Sequence, residues 1–237
     1  MKSLNNWLLV LSVLSCFGCS SPVHEDDRGC AFVSDSIQYR VEFMSAGCVR
    51  ILSFPEGDTL VTKRLVVDSE KPAFKDYKWE DTGQKLLFRT RELSVVFDKA
   101  DAAFIFQETS TGKLLLKEKG DRKARNFKRS VAGGEQCLEV TQCFVPTEDE
   151  AIYGLGQYQN GIMNYRGKSV LLLQANMDIV NPFLISTNGY GVLWDNYSST
   201  KFEDTKEGYS FTSEVGDASD YYFIYGKNMD CLLYTSD

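Results

Sequence analysis

From residue 36 onward the chain repeats one pattern: short apolar runs that alternate with polar residues, broken at close intervals by turn residues. Residues 36–43, 48–52, 86–90, 93–98, 103–107, 113–116 and 136–144 follow it, and so do 182–186, 190–195 and 219–226. Successive side chains of a strand point to opposite faces, so each run offers one face to a core and one to water. Between the runs lie turn triplets such as Ser45-Ala46-Gly47, Ser110-Thr111-Gly112 and Thr187-Asn188-Gly189. Asn-Gly in the last is a strong hairpin signal. Short strands with frequent turns predict an all-β chain folded as an antiparallel β-sandwich. In the 136–144 run, Leu138, Val140 and Phe144 are expected to face the core. The basic run 122–129 falls between two strand-like segments and reads as a solvated loop, and Pro182 reads as the start of its strand. There is no helical period longer than a turn or two and no internal repeat.

The N-terminus has a different character. A short basic start is followed by an apolar run, residues 7–14, and then by Ser15-Cys16-Phe17-Gly18-Cys19. The run is shorter than the roughly 20 residues a membrane-spanning helix needs. Residues 1–19 therefore read as a secretory signal of lipoprotein type, with Cys16, or failing that Cys19, as the lipidated residue. An ordinary cleaved signal with two incidental cysteines is the alternative. Residues 20–30 are polar and acidic and read as a flexible tether. The sandwich is placed at 31–230, and 231–237 is an atypical tail without a helical pattern. The expected location is the bacterial cell envelope, periplasm or outer membrane, with the membrane as a partner through the lipid.

Charge and rare residues narrow the function. The net charge of −7 and the absence of a basic face argue against nucleic acid as a partner. The one histidine, His24, lies in the tether, so no His-based triad or His-rich metal site is available, and neither metal nor cofactor is expected. Cys30, Cys48, Cys137 and Cys143 lack the tight spacing of a disulfide framework. The carboxylates of Asp26-Asp27 and Glu148-Asp149-Glu150 read as solvated, in a tether and a turn.

The most specific segment is Tyr153-Gly154-Leu155-Gly156-Gln157, where two glycines permit positive φ and close backbone approach. It is followed by Asn160-Gly161, Met163-Asn164-Tyr165-Arg166-Gly167, Leu171-Leu172-Leu173-Gln174, Asn176, Ile179, Pro182-Phe183-Leu184, and Gly189 through Tyr197. This order resembles the N-terminal domain of glycoside hydrolase family 31, and among its members the α-xylosidases most. The resemblance is specific over 151–197 and generic elsewhere between 31 and 230.

The resemblance implies a galactose-mutarotase-like sandwich that precedes a (β/α)₈ barrel holding both catalytic aspartates. Retaining hydrolysis needs two carboxylates about 5–5.5 Å apart. No βα repeat is present here, so the expectation is no catalytic residue in this chain and no activity from it alone. It implies an oligosaccharide substrate reached through the parent enzyme, with the barrel as a partner in the same protein. It also implies that the polar loop 174–178 helps line the sugar site, with Asn176 and Asp178 as leading substrate-binding candidates and Gln174, Gln157 and Arg166 behind them. Trp194 and Tyr197 are assigned to core or domain-interface packing rather than to sugar stacking. The family continues into a helix after the last strand; residues 231–237 do not read as one and suggest a truncation or a short genuine end. A stand-alone carbohydrate-binding module and a mutarotase-like isomerase are the rival readings. The second needs a histidine in a concave sheet, where none is placed.

Overall fold

A computed structural model describes residues 23–58, 73–120 and 125–234. The signal segment 1–19 with Cys16 and Cys19, the start of the tether, and residues 235–237 lie outside these. The strands in chain order are β1 (His24–Glu25), β2 (Cys30–Ser34), β3 (Ile37–Ser45), β4 (Cys48–Pro55), β5 (Lys78–Asp81) and β6 (Lys85–Arg89). They continue with β7 (Leu93–Asp98), β8 (Ala103–Glu108), β9 (Leu114–Glu118), β10 (Arg125–Ala132), β11 (Glu135–Val145) and β12 (Ile152–Gln157). The last are β13 (Ser169–Leu172), β14 (Ile179–Ser186), β15 (Tyr190–Trp194), β16 (Thr200–Thr205), β17 (Gly208–Gly216) and β18 (Ser219–Tyr225), followed by one helix, α1 (Met229–Tyr234).

They form two antiparallel sheets. Sheet A has the order β1-β2-β3-β4-β18-β15-β14-β12, and sheet B the order β13-β16-β17-β11-β9-β8-β7-β6-β5 with β10 paired to β11. The period-2 pattern decides which residues meet between them. Tyr39, Val41, Val49, Ile51, Val192, Tyr221 and Phe223 of sheet A share one core with Phe88, Val95, Phe97, Phe104, Phe106, Val140 and Phe144 of sheet B. Ring pairs join the sheets: Phe106 stacks on Phe223 at 4.1 Å between centroids, and Phe144 meets Tyr221 edge-on at 5.1 Å. Such pairs add about 0.5–1.5 kcal/mol each beyond the area they bury. Leu138, Val140 and Phe144 are all buried.

A polar network is also enclosed. Glu118 of β9 is ion-paired with Arg125 of β10, accepts the Tyr221 hydroxyl at 2.8 Å and accepts the Phe104 N–H at 2.8 Å. Arg125 further donates to the Tyr39 hydroxyl (2.9 Å), the Ala102 carbonyl (3.2 Å) and Gln142 Oε1 (2.9 Å). Three of the guanidinium's partners lie on sheet B or its turns and one on sheet A. The network therefore ties the sheets together where apolar contacts alone would not fix their relative position.

Several expectations change. The basic run is not a loop from Arg125 on: it is β10, and Arg125 is its buried anchor, while 122–124 lie outside the described residues. The tether is not free over its second half. His24 and Glu25 pair with Ala31 and Cys30, Asp26 binds Arg40 at 2.8 Å, and Glu25 accepts Tyr77 and Trp79. Glu150 is buried rather than solvated, holding the Tyr190 hydroxyl at 2.6 Å and Thr147 at 3.0 Å. The tail is helical as far as Tyr234, six residues with Asn228 Oδ1 accepting the Cys231 N–H at 2.8 Å. Six residues are too few to show a helical period in sequence; Leu232 packs with Ile185, Tyr222 and Ile224 on the outer face of sheet A.

Candidate functional site

Sheet B hands the chain to sheet A through residues 173–178, between β13 and β14. This crossing is a tight ribbon: Ala175 bridges to Asp178, whose N–H reaches the Ala175 carbonyl at 3.4 Å, and Asn176 and Met177 form the tip. Gln174, exposed, folds back along it, its Oε1 accepting the Val180 N–H at 3.1 Å. That bond holds the ribbon in shape and occupies one of the side chain's acceptor positions. Asn176 is exposed and Asp178 half-buried, and among the described residues neither side chain makes a hydrogen bond. Gln157 is exposed and sits opposite Ile179, one residue from Asp178. Tyr158 donates to the Leu155 carbonyl at 3.0 Å; burial pushes its hydroxyl up to about 12, and the charge of Asp178 adds to the rise. The structure thus brings Gln157, Gln174, Asn176 and Asp178 together.

Arg166 is not with them. Tyr165 bonds the carbonyl of Ile152, at the opposite end of β12 from Gln157. Five strand residues at about 3.3 Å each separate the two ends by about 16 Å. Arg166 pairs there with Asp204 at 3.2 Å, and the same carboxylate accepts the Gly167 N–H at 2.6 Å. Arg166 therefore fastens a turn and is not among the residues the ribbon brings together. Trp194 is fully buried, stacked on Phe211 at 5.5 Å with its indole N–H on Ser213, as packing predicts; Tyr197 is exposed beside it in sequence.

The glycine motif explains how the ribbon is held. Gly154, Leu155 and Gly156 have φ of 99°, 65° and 116°. Gly154 lies opposite Leu184, yet Gly156 lies opposite Val180, so Asn181, Pro182 and Phe183 bulge out across from Leu155. A proline is tolerated at such a bulge because no ladder bond is asked of it. β14 consequently begins at Ile179, not at Pro182. Leu155 is driven into the core with no exposure, and β14 is bent where it meets the ribbon.

Sequence reasoning missed the apolar side of this ribbon. Leu171, Leu173, Met177 and Ile179 are each about half exposed or more, at 52%, 49%, 62% and 58%. They occupy alternate positions, a strand pattern that runs on across a turn. Apolar residues exposed together on one hairpin make it a candidate interaction surface. The tip also carries a carboxylate that accepts hydrogen bonds and an amide that accepts and donates, a combination suited to vicinal hydroxyls.

Residues 38–203 match the family described as glycosyl hydrolase 31 N-terminal galactose mutarotase-like domain. The chain belongs to this family. Among curated relatives of this family 31 domain is an α-xylosidase of Saccharolobus solfataricus, 32% identical over 213 residues, covering 84% of this chain and 27% of the relative. An α-xylosidase structure from Xanthomonas citri superimposes with a TM-score of 0.68 at 31% identity, covering 78% of this chain and 20% of that one. A soil-metagenome α-xylosidase solved with xylose shares the fold, with a TM-score of 0.73 at 22% identity over 87% of this chain and 32% of that one. The family 31 domain thus spans about a quarter of the curated relative's length.

Proposed function

We propose that this chain is the non-catalytic N-terminal part of a retaining α-glycosidase of α-xylosidase type, acting on α-linked xylose or glucose of oligosaccharides. The ribbon 173–179 would cover the edge of the active site in the catalytic domain, with Asn176 and Asp178 bonding sugar hydroxyls and Gln157 and Gln174 beside them. The observation that carries this reading is the pair of uncommitted polar side chains at the tip of an exposed apolar ribbon. The likeness to an α-xylosidase over 84% of the chain supports the substrate class.

In the full-length enzyme, Asp178→Ala should leave Tm unchanged and lower kcat/KM by at least about tenfold. A surface substitution alters stability by less than about 0.5 kcal/mol. A lost hydrogen bond to a charged acceptor costs about 1.5–3 kcal/mol, and 1.36 kcal/mol is tenfold. Steady-state kinetics on aryl α-xylosides decide it; unchanged kinetics in both Asp178→Ala and Asn176→Ala reduce the ribbon to a connector. The purified chain by itself should release no xylose or glucose.

The cell-envelope location is part of the same reading. Mass spectrometry of the mature protein should find a lipid on Cys16 or Cys19, and an unmodified start near Ser20 removes the anchor.

A further inference from the structure

Asparagine followed by glycine occurs twice in the chain, at Asn160-Gly161 and Asn188-Gly189. Glycine has no side chain to crowd its own nitrogen, so that nitrogen can attack the carbonyl carbon of the asparagine amide. Attack requires that the backbone N–H be free and that the side-chain nitrogen be able to leave. The two sites differ in both respects.

Asn188 is clamped. It is half-buried in the hairpin turn between β14 and β15. Its Nδ2 donates to the Leu115 carbonyl at 2.7 Å and to the Leu114 carbonyl at 3.2 Å, so the amide is tied to β9 of the opposite sheet. The N–H of Gly189, the attacking group, donates to the Ser186 carbonyl at 3.1 Å. The Asn188 N–H donates to Ser186 Oγ at 3.0 Å, and the Asn188 carbonyl accepts Lys113 Nζ at 3.1 Å. Nucleophile, leaving group and flanking backbone are all engaged.

Asn160 has none of these restraints. It lies exposed in the loop that leaves β12 after Gln157. Its Oδ1 accepts the Ile162 N–H at 2.9 Å. This Asx turn folds the side chain back toward the Gly161 peptide and polarises the carbon that is to be attacked. Among the described residues, Asn160 Nδ2 meets no acceptor and neither does the Gly161 N–H. Gly161 is exposed as well, and no described atom lies within 4 Å of the place a Cβ would take. Base and water therefore reach the peptide freely.

We propose that Asn160 is a site of spontaneous deamidation in the folded protein, and that the fold protects Asn188. The Gly161 nitrogen gives its proton to hydroxide and bonds to Cγ of Asn160. The bond from Cγ to Nδ2 then breaks, and ammonia leaves. The resulting succinimide takes up one water at either carbonyl and opens to aspartate or isoaspartate. Nothing is oxidised or reduced, and water is the only co-reactant. The loop at the Gln157 end of β12 thereby gains a negative charge. In the isoaspartate form the main chain also runs through the former side chain, and the Asx turn is lost.

The test is peptide mapping by mass spectrometry of the purified 237-residue chain. The folded chain is incubated at mildly alkaline pH in heavy-oxygen water, which labels only the acid formed during incubation. Asn160 should convert at least about tenfold faster than Asn188, because Asn188 must first break three hydrogen bonds. In denaturant that difference should vanish, since both sites are then Asn-Gly in an open chain. Equal rates in the folded chain overturn the proposal. A difference that persists undiminished in denaturant also overturns it, because the neighbouring residues and not the fold would then set the rates. Conversion of Asn160 at least about tenfold slower in the folded chain than in denaturant overturns it too, since the loop would then shield the peptide.

Discussion

Gly156→Ala is expected to lower Tm by roughly 6–12 °C. A Cβ at this position would overlap the carbonyl oxygen of Ile179, a backbone atom that cannot rotate away. The φ of 116° adds strain for any residue with a side chain. Together these cost about 3 kcal/mol, and in a domain of this size each kcal/mol shifts Tm by about 2–4 °C. Gly161→Ala is the control, because its φ is 69° but nothing lies within 4 Å of the added carbon. It should lose only the backbone term, about 1–2 kcal/mol. Equal shifts in the two variants, measured by thermal unfolding, would show that β14 yields freely at Ile179. The ribbon would then not be held by the motif at all.

Glu118→Leu should be as damaging for a different reason. It leaves Arg125, whose side chain is only 9% exposed, without its carboxylate, and strands the Tyr221 hydroxyl and the Phe104 N–H. Removing one partner of a buried ion pair costs about 3–5 kcal/mol, equivalent here to a fall in Tm of roughly 6–20 °C. Replacing both residues by leucine should recover a large part of the loss, because no uncompensated charge then remains. A double variant as unstable as the single one would place the value of this network in its hydrogen bonds to Tyr39 and Tyr221, not in the ion pair.

How far the fold can be read from the residues depends on what each element buries. β11 alternates cleanly from Leu138 on because one face meets the core, whereas β4 and β7 are buried on both faces over most of their length and read as strands from their apolar runs. β18 is buried on both faces almost throughout, yet its aromatic run Tyr221-Tyr222-Phe223 still reads as a strand. β10 was missed because Arg125, Lys128 and Arg129 resemble a loop until Glu118 is known to lie beneath the first of them. β16 and β17 are rich in Thr, Ser and Gly, and Phe202 and Phe211 alone do not announce a strand. In the candidate site, Asn176, Asp178, Gln157 and Gln174 were legible through the resemblance and do lie together. The commitment of Arg166 to Asp204, 38 residues further on, is a tertiary fact that no local pattern carries.

The position of β18 between β4 and β15 has a consequence for how the chain comes off the ribosome. Arg50 and Asp220 are 170 residues apart. At about 5–20 residues per second, β4 waits roughly 10–30 s for the strand that completes its pairing. During that interval the nascent polypeptide presents an unpaired edge with Val49 and Ile51 uncovered, a template for any other extended segment nearby. Holdase chaperones that bind extended apolar segments should therefore associate with nascent chains shorter than about 220 residues, and with longer ones until β18 has paired with β4. The sandwich closes late, and almost at once, when its last strand arrives.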